Sequence, residues 1–258
     1  MSRRRALVGW TGFVGGVLAA RVDPVARFRS TDIEQLAEAD VDEIFCAGAP
    51  AEKWRANAEP EADWASISRL IEALRRSRAR SCVLVSTVDV YADSRGADES
   101  RPADSAQDQA YGRHRALLEE FVTGHFEQAV VLRLPALFGP GLKKNLVYDL
   151  IHQPEARFAH EDSAFQFYDV RDLYGHVLQA QDAGLRVVNL ATEPVTSAQV
   201  ARECFGVDYA CTDRPVAAYD LRTEHAQELG GREGPYLRTS DEVLAAIRAW
   251  GSRQAVAA

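Results

Sequence analysis

The chain has 258 residues, of which 47% are hydrophobic and 26% are charged, and its formal net charge at pH 7 is −8. This length suits one large α/β domain with an appended lobe, and the acidic balance argues against nucleic acid, because a phosphate-binding face needs clustered Lys and Arg. No apolar run approaches membrane-spanning length, and the stretch after the basic residues 3–5 is too short and too interrupted for a signal peptide. We therefore expect a cytoplasmic protein with no nucleic-acid or membrane partner.

The cysteines argue against a metal site. Cys46, Cys82, Cys204 and Cys211 share no metal-ligand spacing, and two of them lie in apolar runs that are typical of strands. We expect buried free thiols in a reducing compartment and no bound metal.

Near the N-terminus, an apolar run leads directly into three glycines in the sequence GWTGFVGG. One glycine permits the turn from strand to helix, a second permits the backbone to approach a phosphate, and a third permits close packing of helix on strand. The segment predicts a cradle for a dinucleotide pyrophosphate, although glycines of an ordinary loop are the alternative. The expected contacts are Gly9, Thr11, Gly12, Phe13, Val14 and Gly15.

Further along the chain, short apolar runs alternate with helical patterns, which is typical of repeated βαβ units. Apolar side chains at helical spacing predict long helices at about 60–78 and 108–124. Capping-box patterns at Thr196 and Thr239 predict two more helices, which end near Gly206 and Gly251. The predicted strands are 5–9, 25–29, 42–47, 81–87, 128–134 and 186–190.

These elements predict an α/β fold with a Rossmann-like, doubly wound, mostly parallel sheet and a small C-terminal substrate lobe. Residues 1–139 form the expected dinucleotide-binding core, and the strand near 186–190 returns to its sheet. Residues 140–258 form mainly the lobe.

The ends of the second and third strands bear on the cofactor. An acidic residue after the second strand holds the ribose hydroxyls of NAD, whereas an arginine there accommodates the 2′-phosphate of NADP. Arg29 and Ser30 favour NADP, and Asp32 comes slightly late for NAD, although a solvated arginine is the alternative. The third strand ends in small residues that would let the backbone run beneath the dinucleotide, namely Ala47, Gly48 and Ala49.

Polar side chains follow the fourth strand. Strand alternation would place Thr87 and Asp89 on one face, at the edge of the sheet where ligands of open α/β folds bind. Asp89 is either a general acid, an anchor for a substrate hydroxyl, or a cap on the next turn. Tyr111 and Arg115 lie one helical turn apart, where a cation would lower the pKa of the phenol. The alternative is a tyrosine packed on the core beside an exposed arginine.

Candidate substrate contacts come after the glycine turn at 139–141. Lys143, Lys144 and Asn145 supply two cations and an amide that suit a phosphate or a sugar hydroxyl, and Gln166 is a further candidate. Solvated lysines are the alternative.

Several segments together resemble the extended short-chain dehydrogenases/reductases, the nucleotide-sugar epimerase/dehydratase superfamily. They follow one another in family order between about residues 5 and 205: GWTGFVGG, STVDVY, YGRHR, LRLPALFGPG, FQFYDVRDL and VVNLATEPVTSAQVA. The resemblance implies a Rossmann sheet holding NAD or NADP, a sugar-like substrate, and a homodimer formed through the two long helices. It also implies a catalytic hydroxyl at Thr87, a catalytic Tyr111 that moves the proton during hydride transfer, and a cofactor contact at Pro135.

One position departs from the family pattern. Family enzymes carry lysine four residues after the tyrosine, and this chain carries Arg115. Arginine can hold a ribose and lower the pKa of Tyr111, but its near-permanent charge makes a proton relay through it unfavourable. Three interpretations stay open: an active enzyme that uses Arg115, an enzyme whose chemistry has moved elsewhere, and a nucleotide-binding sensor or scaffold that has lost catalysis.

Overall fold

A computed structural model describes residues 3–155 and 157–255. Its central feature is a six-stranded sheet with the order β2-β1-β3-β4-β5-β9, in which β1 pairs with β2 and β3, and β3 with β4, in parallel. The strands are β1 (Arg5–Val8), β2 (Ala26–Phe28), β3 (Glu43–Cys46), β4 (Ser81–Thr87), β5 (Gln128–Leu134) and β9 (Val187–Asn189). This Rossmann-like sheet confirms the predicted fold class.

The predicted strands match these within one residue at each end. The long helices are also confirmed, as α3 (Pro60–Arg76) and α4 (Ala110–His125). Apolar side chains of both helices pack with the sheet in one cluster that includes Ile67, Leu74 and Leu118. The helix α1 (Phe13–Ala19) follows the glycine segment, and a short helix that the sequence analysis missed, α2 (Lys53–Ala58), follows β3.

The chain divides into two compact units. Unit 1 runs to Asp93 and adds Ser100–Arg133 and Asp172–Val188. Unit 2 contains Ser94–Glu99, Leu134–Arg171 and the chain from Asn189 onward. The two units alternate along the chain more often than the single predicted boundary at 139/140 implies. Residues 172–188, which contain α6 (Leu173–Asp182), belong to unit 1.

Unit 2 has a core of its own, in which Phe138, Phe167, Val200 and Ile247 are buried. Both capping boxes form. The Thr196 side chain accepts from the Gln199 backbone N–H, and the Glu242 side chain accepts from the Thr239 backbone N–H. One helix ends at Gly206 with φ +66°, as predicted. The other continues through Gly251 to Ala255, so its predicted end is wrong. The elements are β6 (Ala136–Phe138), α5 (Leu146–His152), β7 (Ala164–Phe165), β8 (Phe167–Asp169), β10 (Val195–Thr196), α7 (Ser197–Phe205) and α8 (Ser240–Ala255).

Candidate active site

The glycine segment lies where the order of the sheet reverses, between β1 and β3, which is where ligands of doubly wound folds bind. Gly9 has φ +80°, and a Cβ on it would lie 2.2 Å from the Ala47 carbonyl oxygen. A Cβ on Gly15 would lie 2.0 Å from the Gly9 oxygen. These two glycines are therefore required by the close approach of the first turn of α1 and the end of β3 to the loop.

Gly12 differs from the other two. Gly12 is exposed, and the nearest atom to a Cβ there would be the Gly9 oxygen at 3.3 Å. The solvent-facing side of Gly12 is therefore not covered by other atoms of the protein. Thr11 is exposed beside it, and Phe13 and Val14 are half-buried, as are Ala47, Gly48 and Ala49 after β3. The loop residues thus fit a dinucleotide, which needs exposed backbone at such a turn.

At the end of β2, the Arg29 backbone N–H donates to Asp32 Oδ1 at 2.7 Å, and the Arg29 Nε lies 3.5 Å from Asp32 Oδ2. Ser30 is exposed between them. Asp32, which the sequence analysis placed slightly too late, therefore folds back onto Arg29. The Arg29 guanidinium and the Asp32 carboxylate therefore lie next to each other after β2.

The second group of site residues lies after β4. Strand β4 ends at Thr87, and Val88–Val90 form a 3-10 turn, so strand alternation does not bring Thr87 and Asp89 together as expected. Instead Thr87 Oγ1 accepts from the Asp89 backbone N–H at 3.2 Å and lies 3.5 Å from Asp89 Oδ2. Lys53 Nζ of α2 lies 2.7 Å from Asp89 Oδ1.

Tyr111 joins this group because α4 begins directly against the 3-10 turn. A Cβ on Gly112 would lie 2.0 Å from the Asp89 carbonyl oxygen, so only glycine permits the approach. Gln107 supports the turn by donating from Nε2 to the Asp89 and Val90 oxygens at 3.2 and 3.0 Å. Asn57 of α2 accepts from the Tyr111 backbone N–H at 2.9 Å.

The phenol of Tyr111 is buried and its pKa is raised. Burial is the largest cause, and the charge of Asp89 acts in the same direction. Arg115, the polar side chain of Thr87 and Lys53 oppose them. The pKa of Tyr111 is therefore raised overall, and the expectation that it is lowered is wrong. The contribution of Arg115 by itself does lower this pKa, as predicted.

Arg115 is buried, with 2% of its surface exposed, and its guanidinium is held by unit 1 itself. It makes two hydrogen bonds with Asp63 of α3, at 2.6 and 2.9 Å. It also donates to the backbone oxygens of Tyr111 and Pro50, at 3.0 and 2.6 Å. Its Cζ lies 3.9 Å from the centroid of the Tyr111 ring, in a cation–π stack rather than beside the phenol oxygen. Arg115 is therefore not the exposed arginine that one interpretation expected, and its side chain lies against the Tyr111 ring.

His114 completes the buried group. Its Nδ1 lies 2.7 Å from Asp63 Oδ2. Burial alone would raise the pKa of Asp63, but the hydrogen bonds from Arg115 and His114 outweigh it and hold that pKa below its usual range.

The remaining candidates belong to unit 2. Gln166 is buried and its amide bonds to the backbone of Leu221 in both directions, at 2.8 Å, and to the Thr192 oxygen. Asn145 caps α5 at the Tyr148 N–H and donates to the Leu137 oxygen. These bonds explain both amides without a substrate. Lys143 and Lys144 are exposed, and Pro135 is half-buried between β5 and β6.

The residues that support Tyr111 were not among the predicted site residues: Lys53, Asn57, Asp63, Gln107 and Gly112. Lys53, Asn57 and Asp63 bind residues that are 36 to 54 positions away, and no local pattern marks them or Gln107. Gly112 carried a signal, since a glycine directly after the catalytic candidate in the first turn of a helix is costly unless another backbone approaches closely.

Comparisons with known proteins identify the family. The model of the NAD dependent epimerase/dehydratase family matches residues 24–191, which is more than half of the chain. The chain belongs to this family. The match begins after the glycine segment, so it supports the fold and the Tyr111 region independently of that motif. As a member of the NAD dependent epimerase/dehydratase family, the chain is an NAD(P)-dependent enzyme of the short-chain dehydrogenase/reductase type.

Solved structures share the fold of this epimerase/dehydratase over nearly its whole length. The UDP-N-acetylglucosamine 4-epimerase from Methanobrevibacter ruminantium is 14% identical, with a TM-score of 0.76 over 100% of this chain and 99% of that one. A UDP-glucose 4-epimerase from Thermotoga maritima is 17% identical, with a TM-score of 0.74 over 98% and 99%. A dTDP-4-dehydrorhamnose reductase from Clostridium acetobutylicum is 16% identical, with a TM-score of 0.75 over 98% and 99%.

At these identities the likeness establishes the fold alone. A search of the curated proteins gives no match. Among the helices of residues 3–155 and 157–255, none is long and apolar enough to cross a membrane.

Proposed function

We propose that the enzyme transfers hydride between a nicotinamide cofactor and a carbinol or keto carbon of a sugar or nucleotide sugar, with Tyr111 as the acid/base. The observation that carries this proposal is the packing of the first turn of α4, which bears the buried Tyr111, against the Thr87–Asp89 turn at the carboxyl end of β4. When bound, the nicotinamide supplies the hydride acceptor or donor. The UDP- and dTDP-sugars in the names of the solved structures define the substrate class to test.

In this mechanism the chain's own residues move and hold the proton. The phenol of Tyr111 gives its proton to the substrate oxygen during reduction and takes one during oxidation. Thr87 steadies the same oxygen through its hydroxyl. Because burial raises the pKa of Tyr111, the phenol is protonated at neutral pH and is suited to the reductive direction. Asp89 is the proposed anchor for a neighbouring substrate hydroxyl.

Arg115 has a positioning role in this proposal. Its stack on the Tyr111 ring and its bond to the Tyr111 carbonyl fix the first turn of α4. We do not assign it the ribose, because Asp63 and Pro50 already hold its terminal nitrogens.

For the cofactor we favour NADP over NAD, because Arg29 lies exposed at the end of β2. Lys143 and Lys144 are kept as proposed contacts for a substrate phosphate or hydroxyl, since both are exposed. A homodimer through α3 and α4 is also proposed; light scattering of the purified chain would decide it against a monomer. The free cysteines of the described chain fit a reducing compartment, and we infer the cytoplasm.

Replacement of Tyr111 by phenylalanine tests the mechanism. With NADP or NAD and a panel of UDP- and dTDP-hexoses, Tyr111→Phe should lower turnover by about 10²- to 10⁴-fold and leave cofactor affinity unchanged. Turnover is followed by nicotinamide absorbance and by chromatography of the sugar. An epimerase or dehydratase converts sugar without net consumption of cofactor, whereas a reductase consumes it in step with product.

The matched control is Tyr174→Phe in the same unit, since the Tyr174 hydroxyl accepts a hydrogen bond from Arg5 at the start of β1, away from the carboxyl ends of the strands. This variant should keep its turnover. Full turnover in Tyr111→Phe would refute the mechanism, because the phenol would then carry no proton.

A further inference from the structure

A chain of polar contacts connects α2 to the proposed acid/base. Lys53 Nζ lies 2.7 Å from Asp89 Oδ1, and the other oxygen of Asp89 lies 3.5 Å from Thr87 Oγ1. The turn that holds Thr87 and Asp89 packs directly against the first turn of α4, which bears Tyr111, since a Cβ on Gly112 would lie 2.0 Å from the Asp89 carbonyl oxygen. Both ends of this chain are held by α2, because Asn57 of the same helix binds the Tyr111 backbone N–H. One short helix therefore sets the positions of an ammonium group and of the tyrosine together.

Arg115 does not supply a comparable cation. Its two terminal nitrogens make four hydrogen bonds with unit 1, and its Nε finds no acceptor among the described residues. Its charge is balanced by the carboxylate of Asp63. Lys53 is partly open to solvent, with 44% of its side chain exposed, and an ammonium on a flexible stem adapts to a changing partner as a fixed guanidinium does not.

The composition of the chain makes this lysine unusual. Of its 30 cationic side chains, 27 are arginine and three are lysine. Two of the lysines, Lys143 and Lys144, are adjacent and exposed in unit 2. The third is Lys53, which contacts the group around Tyr111.

We propose that Lys53 is the positioning cation of the Tyr111 centre and acts through Asp89 and Thr87. This inference rests on the proposed function of Tyr111. Lys53 neutralises the Asp89 carboxylate and orients it, so that Asp89 can bind a substrate hydroxyl beside Tyr111 without leaving an unbalanced negative charge next to the phenol. A cation from α2 thus balances Asp89, whereas the cation in the helix of the tyrosine is bound to Asp63.

Electrostatics agree with this geometry. Burial is the largest cause of the raised pKa of Tyr111, and Arg115 opposes it most strongly. Of the other two charged neighbours, Asp89 raises that pKa and Lys53 lowers it. Removing Lys53 alone would take away a charge that opposes the effect of Asp89 on Tyr111, and removing Asp89 alone would take away the charge that Lys53 opposes.

A double-mutant cycle on the full chain tests the proposal without a cofactor. Difluorotyrosine is incorporated throughout, which brings the phenol titrations below the alkaline range, and Tyr111 is followed by ¹⁹F NMR against a Tyr111→Phe sample that assigns its signal. Lys53→Met should raise the pKa of Tyr111 by about 0.5 to 1 unit, and Asp89→Asn should lower it. The double variant should titrate like Asp89→Asn alone, because Lys53 then has no carboxylate to neutralise. Arg75→Met, which removes an exposed cation of α3 in the same unit, is the control and should not shift the signal.

The results separate this inference from the proposed function. If Lys53→Met and Arg75→Met leave the Tyr111 titration equally unchanged, the positioning role of Lys53 is wrong, whatever Tyr111→Phe does to turnover. Additive shifts in the double variant would also overturn it, because Lys53 would then act independently of Asp89. If Tyr111→Phe keeps full turnover while the cycle behaves as expected, the function fails and the electrostatic coupling stands. Lys53→Gln removes the same charge and should give a shift of the same sign should Lys53→Met fold poorly.

Discussion

Arginine at position 115 changes what the fourth residue after the tyrosine does. A buried guanidinium costs free energy unless its hydrogen bonds are satisfied, and Asp63 supplies both a counter-charge and two acceptors. The pair joins α3 to α4, and the Pro50 oxygen adds the segment after β3. Arg115 therefore stabilises the elements around Tyr111.

Replacement of Asp63 by asparagine should be strongly destabilising, because it leaves the Arg115 charge buried without its partner. We expect the free energy of unfolding at pH 7 to fall by about 3–5 kcal/mol, as measured by urea denaturation. Glu72→Gln, which breaks the exposed ion pair with Arg75, is the control and should change it by no more than about 0.5 kcal/mol. A similar small loss in Asp63→Asn would show that the buried pair contributes little.

The same pair predicts a direction for pH. Because the pKa of Asp63 is lowered in the folded chain, its stabilisation is complete above the unfolded value of about 4 and is lost as the pH falls through the folded pKa. The gap in unfolding free energy between the unmodified chain and Asp63→Asn should therefore narrow below about pH 4. If Asp63→Asn fails to fold, adding Arg115→Met should restore part of the stability, since it removes the unpaired charge.

At the level of elements, close backbone approach decides where helices begin. Gly15 lets α1 touch the glycine loop, and Gly112 lets α4 touch the Asp89 turn. Each places an N-terminal helical turn beside the carboxyl end of a strand. The turn that holds Thr87 therefore lies against the first turn of the helix that bears Tyr111.

Adjacent glycines in α1 allow a matched test. Gly15→Ala places a Cβ 2.0 Å from the Gly9 oxygen and should destabilise the chain by about 2 kcal/mol or more, as well as weaken cofactor binding. Gly16→Ala, whose Cβ has only the Trp10 oxygen at 3.9 Å, should be neutral or stabilising by up to about 1 kcal/mol. Thermal and urea unfolding of both variants measure the difference. Equal effects would mean that the contact between α1 and the loop is not tight.

At the level of the whole molecule, cofactor choice appears as a change in stability, since a ligand that binds only the folded chain raises its Tm. We expect NADPH to raise the Tm more than NADH at equal concentration. Arg29→Ala should weaken NADPH binding roughly tenfold or more and leave NADH binding unchanged, because only NADPH carries a ribose 2′-phosphate that Arg29 can bind. A larger shift with NADH in the unmodified chain would reverse the assignment and point to Asp32 as the ribose partner.

Much of the molecule followed from sequence. The strands of the sheet, α3, α4 and the capped helices were predicted from apolar periodicity and capping residues, which act over a few neighbouring positions. The glycine spacing and the order of the segments predicted the family. The α2 helix was missed because its six residues are too few for a periodic signal.

By itself, the sequence determined which residue types stand where in a Rossmann-like, NAD(P)-dependent epimerase/dehydratase: three loop glycines, Thr87, Asp89 and Tyr111. Only the tertiary structure decided what surrounds them. Asp63 and Arg115 are 52 positions apart, and Lys53 and Asp89 are 36 apart, so their ion pairs exist only once the helices have packed. Charge pairing over such separations leaves no local pattern, which is why the cation that contacts Asp89 was found in α2 and not in the helix of Tyr111.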